Sequence, residues 1–168
     1  MIALTDHDSF AGVDEFLRAG AEAGVTAVPG IELSAAFNPG ELHLLGYAVD
    51  THNDTLNRLC EEIRMGRGER NREIFARMQT DNLPVDYEDW RSGLVTPSPG
   101  RPHIADYLIV QGVVKSRREA FARYLSEGRP YFLPRFNPPL ERCIGTIRAA
   151  GGFSVVAHPL SLRISNGK

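Results

Sequence analysis

Short apolar runs with the composition of strands alternate with a helical pattern at the start of the chain. Residues 2–5 and 26–33 are predicted strands, and residues 12–24 between them place apolar side chains on one helical face. A strong turn signal at residues 37–40 leads into a third predicted strand at 41–49. Strands and a helix joined by short connections are typical of a βαβ unit. The chain is therefore predicted to be an α/β protein with a mostly parallel sheet or barrel, in which residues 2–5 form a buried strand.

The middle of the chain is predicted to be helical. Asp54 can cap a helix whose apolar stripe continues to Met78, and Pro102 suits the first residue of a helix that ends at Val110. A further helix is expected over residues 117–127. The α/β pattern is absent from this part, which is instead rich in arginine and in Pro, Gly and Ser.

The α/β pattern returns near the end of the chain. Asn137 is predicted to cap a helix with Pro138 at its first position, and residues 153–157 are predicted to form a buried strand. The chain is thus expected to have an α/β body with an all-helical insertion. The body consists of residues 1–65 and 137–168, and the insertion of residues 66–136.

Charge and cysteine content exclude several classes of protein. A net charge of -2 over 168 residues gives no sign of a dedicated nucleic-acid or membrane surface, and nothing indicates a dedicated protein partner. No apolar stretch approaches the roughly 20 residues of a membrane-spanning helix. Cys60 and Cys143 do not have the spacing of a metal-binding pair or of a disulfide framework. A reducing compartment, and so the cytoplasm, is the expected location.

Several residues that could bind a metal stand at the edges of predicted strands. His7 follows the first strand and His158 follows strand 153–157, so both lie at carboxyl ends, where sites form in α/β barrels. Glu32 interrupts an apolar strand, and a lone buried carboxylate is costly unless it is paired or bound to a metal.

The hairpin register decides whether His43 can join Glu32. If residues 37–40 form the hairpin loop, Ser34 faces His43, and Glu32 lies on the same sheet face as Ser34. The two side chains could then share a metal. A slip of one residue would place them on opposite faces.

The candidates form a set of hard or borderline ligands that suits Zn, Mn or Fe rather than Ca. They are Asp6, His7, Glu32, His43 and His158. The simpler alternative is that each strand-end histidine is a hydrogen-bonded structural residue. His52 lies in a polar loop and is interpreted as solvated surface.

Arginines in the helical insertion are candidates for binding phosphate. Arg67 and Arg70 continue the apolar stripe of their helix and are therefore expected to point inward, although a solvated basic face is the simpler alternative. Arg101 and His103 stand at the start of a predicted helix, where the backbone attracts anions. Helix capping and a surface salt bridge explain that pair equally well.

Four segments resemble, in the same order, the motifs of the PHP (polymerase and histidinol phosphatase) family of phosphoesterases. They are ALTDHD at 3–8, GIELS at 30–34, LHLLGY at 42–47 and AGGFSVVAHP at 150–159. Two segments of the insertion are similar to the branch that includes RNase AM and the 3′,5′-nucleotide bisphosphate phosphatases. These are GRPHIA at 100–105 and AFARYL at 120–125.

The resemblance implies a fold, a cofactor and a set of ligands. The fold would be an incomplete, distorted (β/α)7 TIM-like barrel with an inserted helical cap, and the cofactors two or three divalent metal ions (Mn, Zn or Fe). Glu32, His43 and His158 would be metal ligands, with Glu32 bridging, and His7 would serve a further metal. Asp6 would orient His7, so that Asp6, His7 and His158 take part in catalysis.

The resemblance also assigns the helical cap a role and leaves two motifs unmatched. Arg101 and His103 would grip the substrate phosphate, with Arg67 and Arg70 as further candidates. The family begins with a His-x-His motif and ends with an Asp-x-His motif. No His-x-His occurs in this sequence, and its one Asp-x-His, at residues 50–52, lies in a polar loop before the insertion rather than after the last matched motif. We therefore expect either a piece of a longer enzyme or a degenerate copy.

The leading hypothesis is a metal-dependent phosphoesterase (a hydrolase) that acts on nucleotides or short RNA. It would be a 5′-3′ exoribonuclease or a 3′,5′-nucleotide bisphosphate phosphatase. The first alternative is a PHP-like module that binds metal or phosphate without turnover. A weaker alternative is another metallohydrolase of the amidohydrolase type, although no lysine stands at a strand end to act as a carbamate bridge.

Overall fold

The computed structural model describes residues 1–37 and 41–159, which contain both strands and helices. In chain order the elements are β1 (Ile2–Leu4), α1 (Val13–Glu22), β2 (Ala27–Ala36), β3 (Glu41–Tyr47), α2 (Asp54–Thr80), α3 (Tyr87–Ser92), α4 (Arg101–Val110), α5 (Arg117–Ala120), a π-helical turn (Phe121–Leu125), α6 (Leu140–Ala149) and β4 (Phe153–Val156). The mixture confirms the predicted α/β class.

The described strands form one four-stranded sheet in the order β1-β2-β3-β4. β1 pairs with β2 in parallel, whereas β2 pairs with β3, and β3 with β4, in antiparallel fashion. The predicted mostly parallel sheet is therefore wrong for this part of the chain. The connection from β2 to β3 is too short for a crossover, so the chain has to reverse its direction there.

The predicted hairpin register is confirmed. Ser34 pairs with His43, and Ala36 pairs with Glu41. Residues 38–40 of the predicted turn lie outside the described residues. Because side chains alternate along a strand, this register places Glu32, Ser34 and His43 on one face of the sheet.

The chain divides into two compact units, each with its own apolar core. The first contains Met1–Arg64 and the described residues from Phe136 onwards, and the second is Met65–Arg135. Helix α2 contributes its first part, up to Arg64, to the first unit and the rest to the second.

The core of the first unit lies on the sheet face opposite Glu32 and His43. Ile31 and Leu33 of β2 are fully buried with Leu44 of β3, in one cluster with residues of α2 and α6. Burying one such side chain contributes roughly 1.5–3 kcal/mol. The buried helix residues of this cluster are Leu56, Leu59, Cys60, Ile63, Cys143 and Ile147.

The core of the second unit is built around Phe75 of α2. Its ring centroid lies 5.0 Å from that of Trp90 and 5.7 Å from those of Tyr87 and Tyr107. Ile104 and the neighbouring apolar residues of α4 belong to the same cluster. In the described parts of both units, no helix combines the length and apolar character required to cross a membrane.

The two outer strands are not buried as predicted. Ile2 of β1 is 52% exposed, and Phe153 of β4 is 59% exposed, with Val155 and Val156 at 43% and 41%. An outer strand has a neighbour on one side only, so an apolar sequence favours strand formation there without ensuring burial.

Two predicted helix caps are wrong. Asn53, not Asp54, caps α2, because Asn53 Oδ1 accepts hydrogen bonds from the backbone N–H groups two and three residues further on, at 3.1 and 3.0 Å. Helix α6 begins at Leu140 after Pro139, so Asn137 does not cap it. The Pro138 carbonyl accepts a hydrogen bond from Ala36 N (2.8 Å), which holds that segment against β2.

The other predicted helices are confirmed except one. Gly24, with φ of +66°, follows the end of α1 as predicted, and α4 ends at Val110 as predicted. The helix expected over residues 117–127 is α-helical only at Arg117–Ala120. The chain then widens into the π-helical turn Phe121–Leu125, where Ser126 N bonds to Phe121 O over 3.1 Å.

Gly152 stands where the start of β4 meets the end of β3 and admits no side chain. A Cβ atom there would lie 2.5 Å from Val49 Cγ1 and 2.6 Å from the Tyr47 carbonyl oxygen. We expect Gly152→Ala to lower the free energy of unfolding by about 1–3 kcal/mol, measured by urea denaturation.

Gly145 of α6 provides the control. A Cβ atom there meets nothing within 4 Å, so Gly145→Ala should leave stability unchanged or raise it by up to about 1 kcal/mol. Equal stabilities of the two variants would contradict the close backbone approach at Gly152.

Candidate metal centre

Strand direction and register bring three histidines and one glutamate to the same level of the sheet. Glu32 lies in β2, and His43 lies in β3. His7 bridges to Glu32 just after β1, and His158 follows β4. Because β4 is antiparallel to β3, and β3 to β2, β4 runs in the same direction as β1 and β2. The carboxyl ends of β1 and β4 therefore meet the same edge of the sheet.

The side chains of these residues converge. Glu32 Oε1 lies 3.1 Å from His43 Nδ1 and 3.2 Å from His158 Nε2, and the two histidine nitrogens are 3.0 Å apart. Glu32 Oε2 lies 3.7 Å from His7 Nδ1. Single ligand atoms of His7, Glu32 and His43 lie within 4.8 Å of one another, as the ligands of one metal site would.

The surroundings of Glu32 keep its carboxylate charged. Burial raises the pKa of this group. The hydrogen bond from His43 and the positive charges of His7 and His43 lower it by more, so the pKa lies below its ordinary value. The Glu32 side chain is 15% exposed, whereas those of His7 and His158 are 44% and 52% exposed. The site is thus a largely buried carboxylate that lies close to three imidazole groups, two of which are accessible to solvent.

Asp6 and Asp8 flank His7 but lie in different surroundings. Asp6 is exposed, and its backbone carbonyl accepts a hydrogen bond from Glu32 N over 3.0 Å. Asp8 is fully buried, and both its carboxylate oxygens accept hydrogen bonds from Ser34. The sequence reasoning gave Asp8 no role, because a second acid beside His7 looks the same in sequence whether it is buried or solvated.

The Asp8 charge also acts on two buried thiols. Burial, and after it the negative charge of Asp8, raises the pKa of Cys60 to about 12 and that of Cys143 to about 11. These cysteines lie in α2 and α6, are buried and form no disulfide. They are therefore neutral thiols and add no nucleophile to the site.

Of the arginine candidates, Arg67 and Arg70 lie buried on α2 in the second unit. They are 8% and 7% exposed, and their neighbour Asn71 is 1% exposed. Arg67 Nη1 approaches Gly100 so closely that a Cβ atom there would lie 3.1 Å away. Asn71 Nδ2 donates to the Pro99 carbonyl over 2.9 Å. The polar part of the α2 stripe therefore faces the loop before α4.

Arg101 and His103 make structural contacts at the start of α4. Arg101 Nη1 donates to the Leu125 carbonyl over 3.3 Å, and its guanidinium carbon lies 4.8 Å from the centre of the Phe132 ring. His103 Nδ1 accepts a hydrogen bond from Gly100 N over 3.1 Å, which caps the helix. His52, as predicted, is an exposed loop residue.

Curated relatives match nearly the whole chain. It is 32% identical over 160 residues to a 5′-3′ exoribonuclease from Haemophilus influenzae, covering 95% of this chain and 58% of the relative. It is equally identical, over 160 residues, to a 3′,5′-nucleoside bisphosphate phosphatase from Chromobacterium violaceum, of which it covers 56%. The chain thus spans little more than half the length of these relatives. No family model matches it.

Solved structures share the fold. One is described as a metal-dependent phosphoesterase from Bifidobacterium adolescentis, with a TM-score of 0.84 and 32% identity over 96% of this chain and 58% of that one. Another is an amidohydrolase from Chromobacterium violaceum with bound sulfate and no metal. It has a TM-score of 0.86 and 32% identity over 95% of this chain and 56% of that one.

The solved structures and the curated relatives indicate which class of protein this chain resembles. The fold is that of the phosphoesterase and amidohydrolase structures. Within that class, the chain is a homologue of the 5′-3′ exoribonucleases and 3′,5′-nucleoside bisphosphate phosphatases. This confirms the predicted resemblance to the RNase AM and bisphosphate phosphatase branch of the PHP family.

The raised thiol pKa values make Cys60 and Cys143 unreactive in the folded chain. At pH 8 both should react with Ellman's reagent far more slowly in the native protein than in guanidinium chloride, where two thiols per chain should react at once. Rapid native reaction of either thiol would contradict its burial.

The raised pKa values of Cys60 and Cys143 also predict that the free energy of unfolding falls at alkaline pH. Protonated thiols stabilise the fold fully below the unfolded value of 9.0, and this contribution is lost as pH rises through about 11 and 12. Urea denaturation at pH 8 and pH 10.5 measures the loss. A Cys60→Ser, Cys143→Ser double variant, compared with itself at both values, is the control.

Proposed function

We propose that the full-length protein is a metal-dependent phosphoesterase acting on nucleotides or short RNA, and that His7, Glu32, His43 and His158 hold its metal ions. The convergence of Glu32 Oε1, His43 Nδ1 and His158 Nε2 within 3.0–3.2 Å carries this proposal. The named activities of the relatives supply the reaction class.

The residues present suit a transition-metal ion. Ligand atoms placed tetrahedrally around zinc at about 2.0–2.1 Å lie about 3.3–3.4 Å from one another, which is close to the spacing of these three atoms. Imidazole nitrogens with one carboxylate favour Zn, Mn or Fe. Glu32 has a second oxygen directed at His7, so its carboxylate can bridge two ions. Two or three ions would complete the site in the full-length protein.

Bound divalent ions would activate water and neutralise negative charge on a phosphate ester. The side chains themselves have positioning tasks. Glu32 stays ionised and attracts cations, while His43 and His158 present nitrogens to the same point in space. Asp6, whose carboxylate is exposed beside His7, would orient that loop.

The second unit would serve as the substrate-binding cap. Arg67 and Arg70, held in a buried polar segment, are the proposed phosphate ligands, with Arg101 and His103 at the start of α4 as further contacts. The sulfate bound by the related amidohydrolase structure supports binding of a tetrahedral anion. We further propose the distorted (β/α)7 barrel for the complete first unit. The two free buried thiols fit a cytoplasmic location.

Hydrolysis of 3′-phosphoadenosine 5′-phosphate by the full-length protein tests the proposal. Activity should require added Mn²⁺ or Zn²⁺, and His43→Ala should reduce it to the level without metal, because His43 contacts both Glu32 and His158. His52→Ala, which alters an exposed histidine of the same unit, is the matched control and should retain activity. Equal activity of the two variants would disprove the site assignment.

A non-catalytic module that binds metal or phosphate is the alternative, and the same samples distinguish it. It would bind metal through His43 but release neither inorganic phosphate from 3′-phosphoadenosine 5′-phosphate nor mononucleotides from short 5′-phosphorylated RNA. Comparing these two substrates separates the bisphosphatase activity from the exoribonuclease activity.

Arg67 provides a separate test of phosphate binding. A hydrogen bond to a charged group contributes about 1.5–3 kcal/mol, so Arg67→Gln should raise KM for the bisphosphate about 10- to 100-fold. Arg77→Gln on the same helix is the control, because Arg77 is exposed and pairs with Glu73 over 2.8 Å. An unchanged KM in Arg67→Gln, with folding intact by circular dichroism, would remove Arg67 from the site.

A further inference from the structure

Asp8 is hydrogen-bonded to the part of the sheet that carries the proposed metal ligands and also to helix α2. Its N–H donates to the Glu32 carbonyl over 3.0 Å, and its own carbonyl accepts from Arg64 Nη1 over 2.9 Å. Its Oδ1 accepts from Ser34 N over 3.0 Å, and its Oδ2 from Ser34 Oγ over 3.3 Å. Asp8 and Ser34 are both 0% exposed.

These bonds hold Asp8 in a backbone conformation that few residues adopt. Its φ of +53° lies in the left-handed region, which is unfavourable for residues other than glycine, although Asp and Asn tolerate it best. The bonds to Ser34 offset that strain. The turn after His7 is therefore set by the contacts of Asp8 rather than by intrinsic preference.

His7 lies outside the ladder that places the other two ligands. It follows β1 and forms an isolated bridge to Glu32. Glu32 and His43, by contrast, lie within the long β2–β3 ladder, where Ser34 is the partner of His43. Asp8 connects His7 to the β2–β3 ladder, because it follows His7 directly and is hydrogen-bonded to both Glu32 and Ser34.

We propose that Asp8, acting through Ser34, is the positioning residue that holds His7 against Glu32 and His43 for metal binding. This role depends on the metal site proposed above. It accounts for a fully buried carboxylate whose charge acts on two buried thiols, at a position where an apolar side chain would carry a lower desolvation cost.

Metal affinity separates positioning from a general effect on folding. Binding of Co²⁺ to the full-length protein is measured by isothermal titration and by the visible absorption of the bound ion, with thermal unfolding of the metal-free protein alongside. Loss of a residue that orients a ligand typically weakens metal binding about 10- to 100-fold. We expect that loss, with an altered Co²⁺ spectrum, in Asp8→Ala.

Asp8→Asn is the rescue variant. Asn tolerates the same φ, and its side-chain oxygen can still accept the Ser34 N–H, so affinity should return to near the original value. Ile147→Val is the control for stability, because Ile147 is a fully buried residue of the apolar core of the same unit. It should lower the unfolding temperature and leave Co²⁺ binding unchanged.

Each outcome decides between the two proposals. If Asp8→Ala binds Co²⁺ as the unchanged protein does, the positioning role is wrong while the metal site stands. If Asp8→Asn binds Co²⁺ as weakly as Asp8→Ala does, the negative charge of Asp8 rather than its hydrogen bonding supports metal binding, and the positioning role is again wrong. If the unchanged protein binds no Co²⁺, both proposals fail.

Ser34→Ala keeps the question decidable if Asp8→Ala does not fold. It removes the hydroxyl bond to Asp8 and leaves the Ser34 N–H bond to Asp8 intact. One hydrogen bond is worth about 0.5–1.5 kcal/mol, so a loss of about threefold in Co²⁺ affinity is expected. Unchanged affinity and an unchanged Co²⁺ spectrum in Ser34→Ala would overturn the positioning role.

Discussion

The pairing of β2 with β3 is the constraint on which the rest of the first unit depends. With Ser34 opposite His43, Ile31 and Leu33 face the helices while Glu32 and His43 face away from them. A slip of one residue would turn Glu32 into the apolar cluster and the buried leucines out of it. The burial that stabilises the sheet therefore also brings the proposed metal ligands onto one face. Core and site cannot vary independently in this hairpin.

The ladder, rather than attraction between side chains, brings the histidines together. His158 is placed by the pairing of β4 with β3, which ends with Ala157 N bonded to the His43 carbonyl over 2.9 Å. His43 Nδ1 and His158 Nε2 lie 3.0 Å apart, so a proton or a cation must stand between two atoms that otherwise repel each other. An arrangement imposed by the backbone in this way is suited to binding a cation, because little reorganisation is required when the ion arrives.

Periodicity and turn signals were enough to predict what depends on local sequence, including the hairpin register and the end of α4. They failed where distant neighbours decide. β1 and β4 are apolar but are outer strands, so Ile2 and Phe153 remain exposed. The Pro138 carbonyl bonds to Ala36, which delays the start of α6. Asp8 escaped notice because its burial depends on Ser34, 26 residues away in sequence.

The polar interruption of the α2 stripe has no explanation in packing alone. Buried positions follow helical spacing from Leu56 to Ile63 and again from Ile74 to Met78, and Arg67 and Arg70 occupy the same face between them. A helix selected only to fill a core would carry apolar side chains there, because desolvating two guanidinium groups is costly even when they are hydrogen-bonded. Their retention is explained if the segment serves an anionic substrate, whose negative charge would offset that cost.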